Sequence, residues 1–198
     1  MKLAVVIDPI EKLNPKKDSS IAMLRAAATL GLQLFYMTPA DMYVVDGKPY
    51  AKLTQIEVSQ TSTDWYSSQP SEHTALTQMD IIIMRKDPPF DMNYIYTTYL
   101  LELAENQGTL VVNKPQGLRD ANEKYFTTQF PQCCPPTLIS QDKQLLQNFW
   151  QQHSDVIYKP LDGMGGRSIF HVTESGRNLN VIIDTLTENG HVPIMAQR

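Results

Sequence analysis

The sequence predicts an α/β protein, because apolar runs of strand length alternate along the chain with stretches of helical periodicity. Three observations support this fold class. The chain begins with a strand, "KLAVVID", and continues into a helical stretch. A proline-rich break, "QFPQCCPPTL", interrupts the alternation and indicates a second domain. A glycine-rich segment, "KPLDGMGGRS", connects two apolar runs within that second domain.

The first predicted domain spans residues 1–121. Its first helix, in "DSSIAMLRAAATLG", has Ser19 or Ser20 as its N-cap and ends at Gly31. The strand "LQLFYMT" follows the helix. In "MYVVDGKPYAKL", an Asp-Gly pair between two β-rich runs predicts a hairpin.

The later part of this domain begins with a polar stretch at residues 59–77, which we expect to be a surface excursion. The strand in "MDIIIMRKDPPFD" then runs into two prolines. The helix "NYIYTTYLLELAENQG" is predicted to be capped by Asn93 and to end at Gly108, before the strand "TLVVNKP".

The second predicted domain spans residues 122–198 and begins with a helix in "NEKYFTTQF". The remaining elements are predicted as strands at residues 137–140, 156–159, 168–172 and 192–197, and as helices at 142–153 and 179–189. The chain ends on an apolar, strand-like segment, "VPIMAQR", so we expect it to be a fragment of a longer protein.

Composition excludes several classes of function. The net charge of −4, without a dense Lys/Arg cluster, argues against nucleic-acid binding. No apolar run approaches the roughly 20 residues needed to span a bilayer. The adjacent Cys133 and Cys134 suit neither a disulfide framework nor a C-x-x-C site, and the histidines lack metal-ligand spacing. These features together predict a cytoplasmic protein.

The glycine-rich segment is the first candidate for chemistry. Gly163, Gly165 and Gly166 form neither a Walker A loop nor a dinucleotide fingerprint, because the loop connects two strands. Glycines let backbone N–H groups converge on an oxyanion, and Lys159 adds a cation on the incoming strand. Together with Lys124 of "NEKYF", this lysine could hold a polyphosphate. The alternative is a flexible β-hairpin beside surface lysines.

A second candidate lies at the ends of two strands in the first domain. The strand in "MDIIIMRKDPPFD" delivers Arg85 to its C-terminal end, where α/β sheets bind ligands. This guanidinium could bind a substrate carboxylate, or it could pair locally with Asp87 or Asp91. The segment "KKDSS" places N–H groups and hydroxyls at the start of a helix, which is either an anion site or a plain N-cap.

The segments "DPI", "KKDSS", "IIMRKDPPFD", "GTLVVNKPQGLRDANEKYF", "KPLDGMGGRSIF" and "MAQ" together resemble the bacterial glutathione synthetases, which are ATP-grasp ligases. The likeness extends from the first strand to the last residue. It implies an N-terminal α/β domain with a parallel sheet, followed by the first α+β lobe of an ATP-grasp domain. The second lobe is expected to be absent from this chain.

The resemblance also implies roles for individual residues. Those implied to bind ATP are Lys124, Lys159, Asp162, Gly163, Met164, Gly165, Gly166, Ser168 and Gln197. The two lysines would contact phosphates, the loop would cover them, and Gln197 with its neighbouring backbone would begin the hinge that recognises adenine. Those implied to bind substrate are Arg85, Asp18, Ser19 and Ser20. For Arg167, which stands where a small residue is more usual, no contact is assigned.

The implied reaction joins γ-glutamylcysteine to glycine with ATP through an acyl phosphate, giving glutathione, ADP and phosphate. Such chemistry requires positioning and charge stabilisation rather than a side-chain nucleophile, and none is assigned here. ATP and Mg²⁺ are the implied cofactors, and the metal ligands are expected beyond the hinge strand. The chain alone is therefore expected not to synthesise glutathione.

Two other interpretations stay open from the sequence. One is an ATP-grasp ligase that joins a different acid to an amine, although "MRKDPPFD" argues against it. The other is a non-catalytic oligomerisation or docking module in which the glycine loop is only a hairpin. The resemblance implies a homo-oligomer, a tetramer in the best-known bacterial form. The apolar helix "NYIYTTYLLEL" is either part of such an interface or simply buried.

Overall fold

The computed structural model describes residues 1–61 and 63–198. The chain folds into two compact units, one of residues 1–87 and 91–120 and one of residues 88–90 and 121–198. Both units combine sheets with helices, which confirms the predicted α/β class. No helix among the described residues has the length and apolar character needed to cross a membrane.

Unit 1 is built on a mixed sheet with a parallel centre. Its strands are β1 (Lys2–Val6), β2 (Gln33–Met37), β3 (Met42–Val45), β4 (Lys48–Val58), β5 (Tyr66–Ser68), β6 (Glu72–Ala75), β7 (Ile81–Met84) and β8 (Leu110–Val112). The strands β2, β1, β7 and β8 pair in parallel, in that order. The strand β4 pairs antiparallel with β2 and carries β3, β5 and β6.

The central strand of unit 1 is buried on both faces, as expected for a parallel sheet covered by helices. Leu3 and Val5 of β1 belong to a core with Ile21 of helix α1 (Ser19–Thr29). On the opposite face, β1 contributes to a second core with residues of helix α2 (Met92–Asn106). A short helix, α3 (Pro115–Asp120), follows β8.

The two long helices of unit 1 start on aspartates, so both predicted caps were wrong. The carboxylate of Asp18 accepts the N–H of Ser20 at 2.7 Å, and that of Asp91 accepts the N–H of Tyr94 at 2.9 Å. A carboxylate at the N-cap also interacts favourably with the helix dipole. The predicted ends are confirmed, because the glycines that follow both helices have positive φ.

The stretch at residues 59–77, predicted as a polar surface excursion, contains the strands β5 and β6, which its polar composition did not indicate. Position 62 of this stretch lies outside the described residues. Pairing with the long β4 compensates for their weak strand character. The predicted hairpin between β3 and β4 is confirmed, with positive φ at both Asp46 and Gly47.

Unit 2 is a four-stranded antiparallel sheet covered by two helices. The elements are β9 (Thr137–Ser140), α4 (Lys143–His153), β10 (Val156–Pro160), β11 (Phe170–Val172), α5 (Leu179–Leu186) and β12 (Ile194–Gln197). The strand order is β11, β10, β12, β9. Leu146 of α4 and Ile183 of α5 pack on Val156 and Tyr158 of β10 in one core.

Several predicted elements of unit 2 differ from the structure, and the last strand, β12, begins at Ile194 rather than at Val192. The segment "NEKYFTTQF" forms a 3₁₀ helix at Tyr125–Gln129 rather than an α-helix. The strand β11 begins two residues late because Ser168 has positive φ, and α5 ends three residues early because Glu188 and Asn189 also have positive φ.

Tyr158 supplies a testable feature of the unit 2 core. Its side chain is fully buried, its hydroxyl donates to the carbonyl of Leu146 at 2.9 Å, and burial raises its pKa to about 12 from an ordinary value of 10.0. The stability that this group contributes is therefore complete below pH 10 and is lost as the pH rises through 12.

We expect the wild-type chain to lose about 1.4 kcal/mol of unfolding free energy by pH 11 relative to Tyr158→Phe, which cannot ionise. Urea unfolding at pH 8 and pH 11 measures this difference. Tyr125→Phe, at a residue 56% exposed in the same unit, is the matched control and should follow the wild type. Parallel pH dependence of the wild type and Tyr158→Phe would contradict this account.

Candidate functional site

Two lysines of unit 2 lie next to the glycine-rich loop. Lys124 directly precedes the 3₁₀ helix, and its ammonium donates to the carbonyl of Gly163 in the loop. The same ammonium pairs with the carboxylate of Glu123 at 2.7 Å, and the Lys124 side chain is only 14% exposed. Lys159 lies on β10, the strand that leads into the loop.

Asn122 holds Lys124 against the start of the loop, a role that the sequence interpretation missed. Its Oδ1 accepts the backbone N–H groups of Lys124 at 3.1 Å and Tyr125 at 2.9 Å. Its Nδ2 donates to the carbonyl of Leu161, directly before the loop, at 3.1 Å. An Asn two residues before a lysine at the start of a helical turn is the signal that could have indicated this.

The two ammonium groups act on each other. Burial lowers the pKa of Lys159 from its ordinary value, and the nearby charge of Lys124 lowers it further. Cys134 and Glu123 act weakly in the opposite direction. Because two like charges are held together in a partly desolvated place, an anion that binds both would relieve an existing unfavourable interaction.

The loop at residues 162–168 requires glycine at specific positions. Gly165 and Gly166 have φ of +66° and +76°, in the left-handed region that other residues rarely adopt. At Gly163 the constraint is space, since an added Cβ would lie 3.1 Å from Cγ of Pro160. A turn closes the loop, with the N–H of Arg167 donating to the carbonyl of Met164 at 3.3 Å.

A cavity of about 390 Å³ borders the loop, and neither lysine lines it. Its wall includes Asp162, Gly163, Met164, Arg167 and Ser168 of the loop, together with Pro160, Phe170, α5 and the segment at Pro88 and Pro89.

Strand alternation explains why Lys159 is absent from that wall. Pro160 and Phe170 share the helix-covered face of the sheet with Tyr158, whereas Lys159 points to the opposite face. The Lys159 side chain and the cavity therefore lie on opposite faces of the sheet.

Gln197 lies beside Lys159 and contacts it directly. The Lys159 ammonium donates to Oε1 of Gln197 at 2.6 Å, and Nε2 of Gln197 donates to the hydroxyl of Thr137 at 2.9 Å. The side chain is thus already occupied within unit 2. The predicted part of Gln197 in adenine recognition stays a prediction.

The four candidate substrate residues of unit 1 lie together at the start of α1. The guanidinium of Arg85 donates from Nη2 to the hydroxyl of Ser19 at 2.7 Å and from Nε to the hydroxyl of Ser20 at 3.3 Å. Asp18 caps the same helix through the N–H of Ser20. The site thus presents a guanidinium oriented by two hydroxyls.

The alternative of a local pair between Arg85 and Asp87 or Asp91 was wrong. Asp91 caps α2, and the backbone N–H of Asp87 donates to Oδ2 of Asp8 at 3.2 Å. Asp8, which the sequence interpretation did not single out, also pairs with Lys86 at 3.0 Å. It fixes the chain directly after Arg85.

Metal ligands are not grouped in the part of the chain that the structure describes. Among residues 1–61 and 63–198, no three His, Cys, Asp or Glu side chains cluster in a way that could hold a metal ion. Both cysteines are free thiols.

The fold is that of the ATP-grasp proteins. The structure resembles D-cycloserine synthetase DcsG with a TM-score of 0.64 and 15% identity, covering 100% of this chain and 59% of that chain. It resembles the RimK domain ATP-grasp protein from Sphaerobacter thermophilus DSM 20745 with a TM-score of 0.63 and 13% identity, covering 100% and 63% of the two chains. At these identities the likeness shows the fold alone.

The sequence comparisons define the family. Residues 1–119 match the N-terminal domain of prokaryotic glutathione synthetase, and residues 123–198 match its ATP-grasp domain. Curated glutathione synthetases of Citrobacter rodentium and Escherichia coli K12 are 52% and 51% identical over 197 residues, which is 100% of this chain. The chain spans 62% of the length of each. It belongs to the prokaryotic glutathione synthetase family, as the resemblance of its motifs predicted.

Proposed function

We propose that this chain provides the ATP-phosphate site and the N-terminal domain of an ATP-dependent glutathione synthetase, which ligates γ-glutamylcysteine to glycine. The observation that supports this most is the pair of partly buried ammonium groups of Lys124 and Lys159 beside a glycine loop. In this proposal residues 1–121 form the substrate domain and residues 122–198 form the first ATP-grasp lobe.

Each part of the site has a proposed role toward ATP. Lys124 and Lys159 neutralise the phosphates, and the backbone N–H groups of the loop at residues 162–168 cover them. The Lys124 ammonium uses two of its three N–H donors, toward Gly163 and Glu123, which leaves one for a phosphate oxygen. The end of β12 at Gln197 begins the adenine-binding hinge.

The proposed reaction requires positioned charge rather than a protein nucleophile. The carboxylate of γ-glutamylcysteine attacks the γ-phosphorus of ATP, forming an acyl phosphate and releasing ADP. The amine of glycine then attacks the acyl carbon, loses a proton and expels phosphate, which leaves the new amide bond. The lysines stabilise the phosphoryl oxygens through the first step, and a closed glycine loop keeps water from the acyl phosphate.

Mg²⁺ is proposed to accompany ATP, as in most phosphoryl transfer. The described residues offer no ligand cluster for it, so no step is assigned to it here. The proposed compartment is the cytoplasm, where ATP is available.

Arg85 is proposed to bind a carboxylate of the peptide substrate. The hydroxyls of Ser19 and Ser20 already orient its guanidinium. The Asp18 cap fixes the helix that carries these two serines. A guanidinium held in this way loses less conformational freedom when it forms a bidentate pair with a carboxylate.

The first test separates ATP affinity from stability. Lys159→Met should weaken ATP binding by the chain about 10- to 100-fold, because a hydrogen-bonded charge partner of the phosphates is removed. The same variant should not lower the unfolding free energy, because it removes a desolvated charge beside a like charge. Titration calorimetry and urea unfolding measure the two quantities.

Lys143→Met is the matched control, since Lys143 lies in the same unit in an exposed pair with Asp184 at 2.7 Å. It should retain ATP affinity. Equal, measurable ATP affinity of the wild type and Lys159→Met would rule out the proposed phosphate site.

The second test concerns the reaction. A chimaera that continues residues 1–198 with the remainder of the Escherichia coli K12 relative should synthesise glutathione from ATP, γ-glutamylcysteine and glycine. Lys159→Met in the chimaera should lower kcat/KM by about 100-fold, as expected when a preorganised charge partner of a transition state is lost. Coupled ADP release and mass spectrometry of the product measure this.

Lys143→Met in the chimaera should keep full activity. A chimaera that binds ATP but joins a different amino acid to a different acid would favour another ATP-grasp ligase. One that binds ATP and joins nothing would favour a non-catalytic module.

Self-association is proposed through helix α2. Met92, Tyr96 and Tyr99 recur at helical spacing and are 56%, 57% and 47% exposed. We expect light scattering to give the mass of several 22.5 kDa chains, four for the implied tetramer, and Tyr96→Lys to reduce it. Val181→Lys, at a residue 65% exposed on α5, is the control. A wild-type mass of one chain would exclude this surface.

A further inference from the structure

Three hydrogen bonds in series connect the Lys159 ammonium to the backbone carbonyl of Pro135 within unit 2. The Lys159 ammonium donates to Oε1 of Gln197 at 2.6 Å, and Nε2 of Gln197 donates to Oγ1 of Thr137 at 2.9 Å. The Thr137 hydroxyl in turn donates to the carbonyl of Pro135 at 2.8 Å. Neither Thr137 nor this function of the Gln197 side chain follows from the sequence.

The register of the sheet brings the three side chains onto one face. Gln197 lies directly opposite Thr137 across the β12–β9 pair and directly opposite Ile157 across the β12–β10 pair. Lys159 is two residues beyond Ile157, so it shares that face and is the diagonal neighbour of Gln197. Diagonal neighbours in an antiparallel pair are about 7–8 Å apart, which a lysine and a glutamine side chain can bridge.

The carbonyl of Pro135, at the end of this series of hydrogen bonds, determines the donor and the acceptor in each of them. The carbonyl of Pro135 can only accept, so the hydroxyl of Thr137 donates to it and offers its lone pairs to Gln197. The amide of Gln197 therefore turns its NH₂ group to Thr137 and its carbonyl oxygen to Lys159. A flipped amide would place NH₂ against an ammonium that has no acceptor capacity.

We propose that Thr137 is a positioning residue for Lys159 and that it acts by orienting the amide of Gln197. The inference rests on the proposed function of Lys159 as a phosphate ligand. Thr137 holds the ammonium in place before the nucleotide arrives, so less side-chain entropy is lost on binding.

The test compares Thr137→Val with Thr137→Ser. Valine has nearly the same shape and a higher strand propensity but no hydroxyl, whereas serine keeps the hydroxyl. In the nucleotide-free chain, we expect trace labelling with acetic anhydride to modify Lys159 about three- to tenfold faster in Thr137→Val than in the wild type. Lys143 serves as the internal reference, and Thr137→Ser should label at the wild-type rate.

In ATP titrations, Thr137→Val should bind about three- to tenfold more weakly and Thr137→Ser should bind normally. In the Lys159→Met background, Thr137→Val should have no further effect on ATP affinity, because the residue acts only through Lys159. A role of Thr137 in stability alone would instead weaken binding in both backgrounds.

Two outcomes separate this inference from the proposed function. Equal labelling of Lys159 in the wild type and in Thr137→Val overturns the positioning role, whatever the ATP affinity. Faster labelling in Thr137→Val, with ATP affinity unaffected by Lys159→Met, supports the positioning of the ammonium and overturns its proposed use in phosphate binding.

Discussion

The site depends on one unfavourable interaction, the repulsion between the ammonium groups of Lys124 and Lys159. Both lysines stay in place because packing holds them and because their ammonium groups donate to uncharged acceptors, the carbonyl of Gly163 and the amide oxygen of Gln197. Burial and the neighbouring charge of Lys124 both lower the pKa of Lys159. The charged form of Lys159 is therefore less stable in the folded protein than in water. Charge held in this way is available to an anion without further reorganisation, which is the property that phosphoryl-transfer sites share.

The alternation of side chains along β10 explains how one short strand supports both the core and the site. Val156 and Tyr158 face the helices and contribute to the core, whereas Lys159 faces the other way. A shift of one residue in register would bury the lysine and expose the tyrosine. The core under α4 and α5 therefore determines where the ammonium lies. This is why a site made of charged side chains still requires an apolar sheet beneath it.

The sequence predicted the elements of the fold better than the contacts of the site. Apolar periodicity and the Asp-Gly turn predicted the parallel strands of unit 1 and the β3–β4 hairpin, because those signals are local, but the polar strands β5 and β6 were missed. Both predicted caps were misplaced by one or two residues, because Asp18 lies one residue before Ser19 and Asp91 lies two residues before Asn93. The partners of Arg85, Asn122 and Gln197 could not be predicted, because these contacts depend on how distant segments meet. The family resemblance implied phosphate-binding roles for Lys124 and Lys159, which stay predictions, but not which groups hold these side chains.

The groups that hold the two lysines are mostly neutral, and this follows from the proposed chemistry. Gln197 accepts from Lys159 with an amide, and Asn122 fixes the backbone of Lys124 with another. An amide orients an ammonium without cancelling its charge, whereas a buried carboxylate would compete with a phosphate for it. The carboxylate that does pair with Lys124 belongs to Glu123, whose side chain is 62% exposed, where water and salt screen the interaction. The net positive charge facing the loop is thus preserved, as a binding site for a polyphosphate requires.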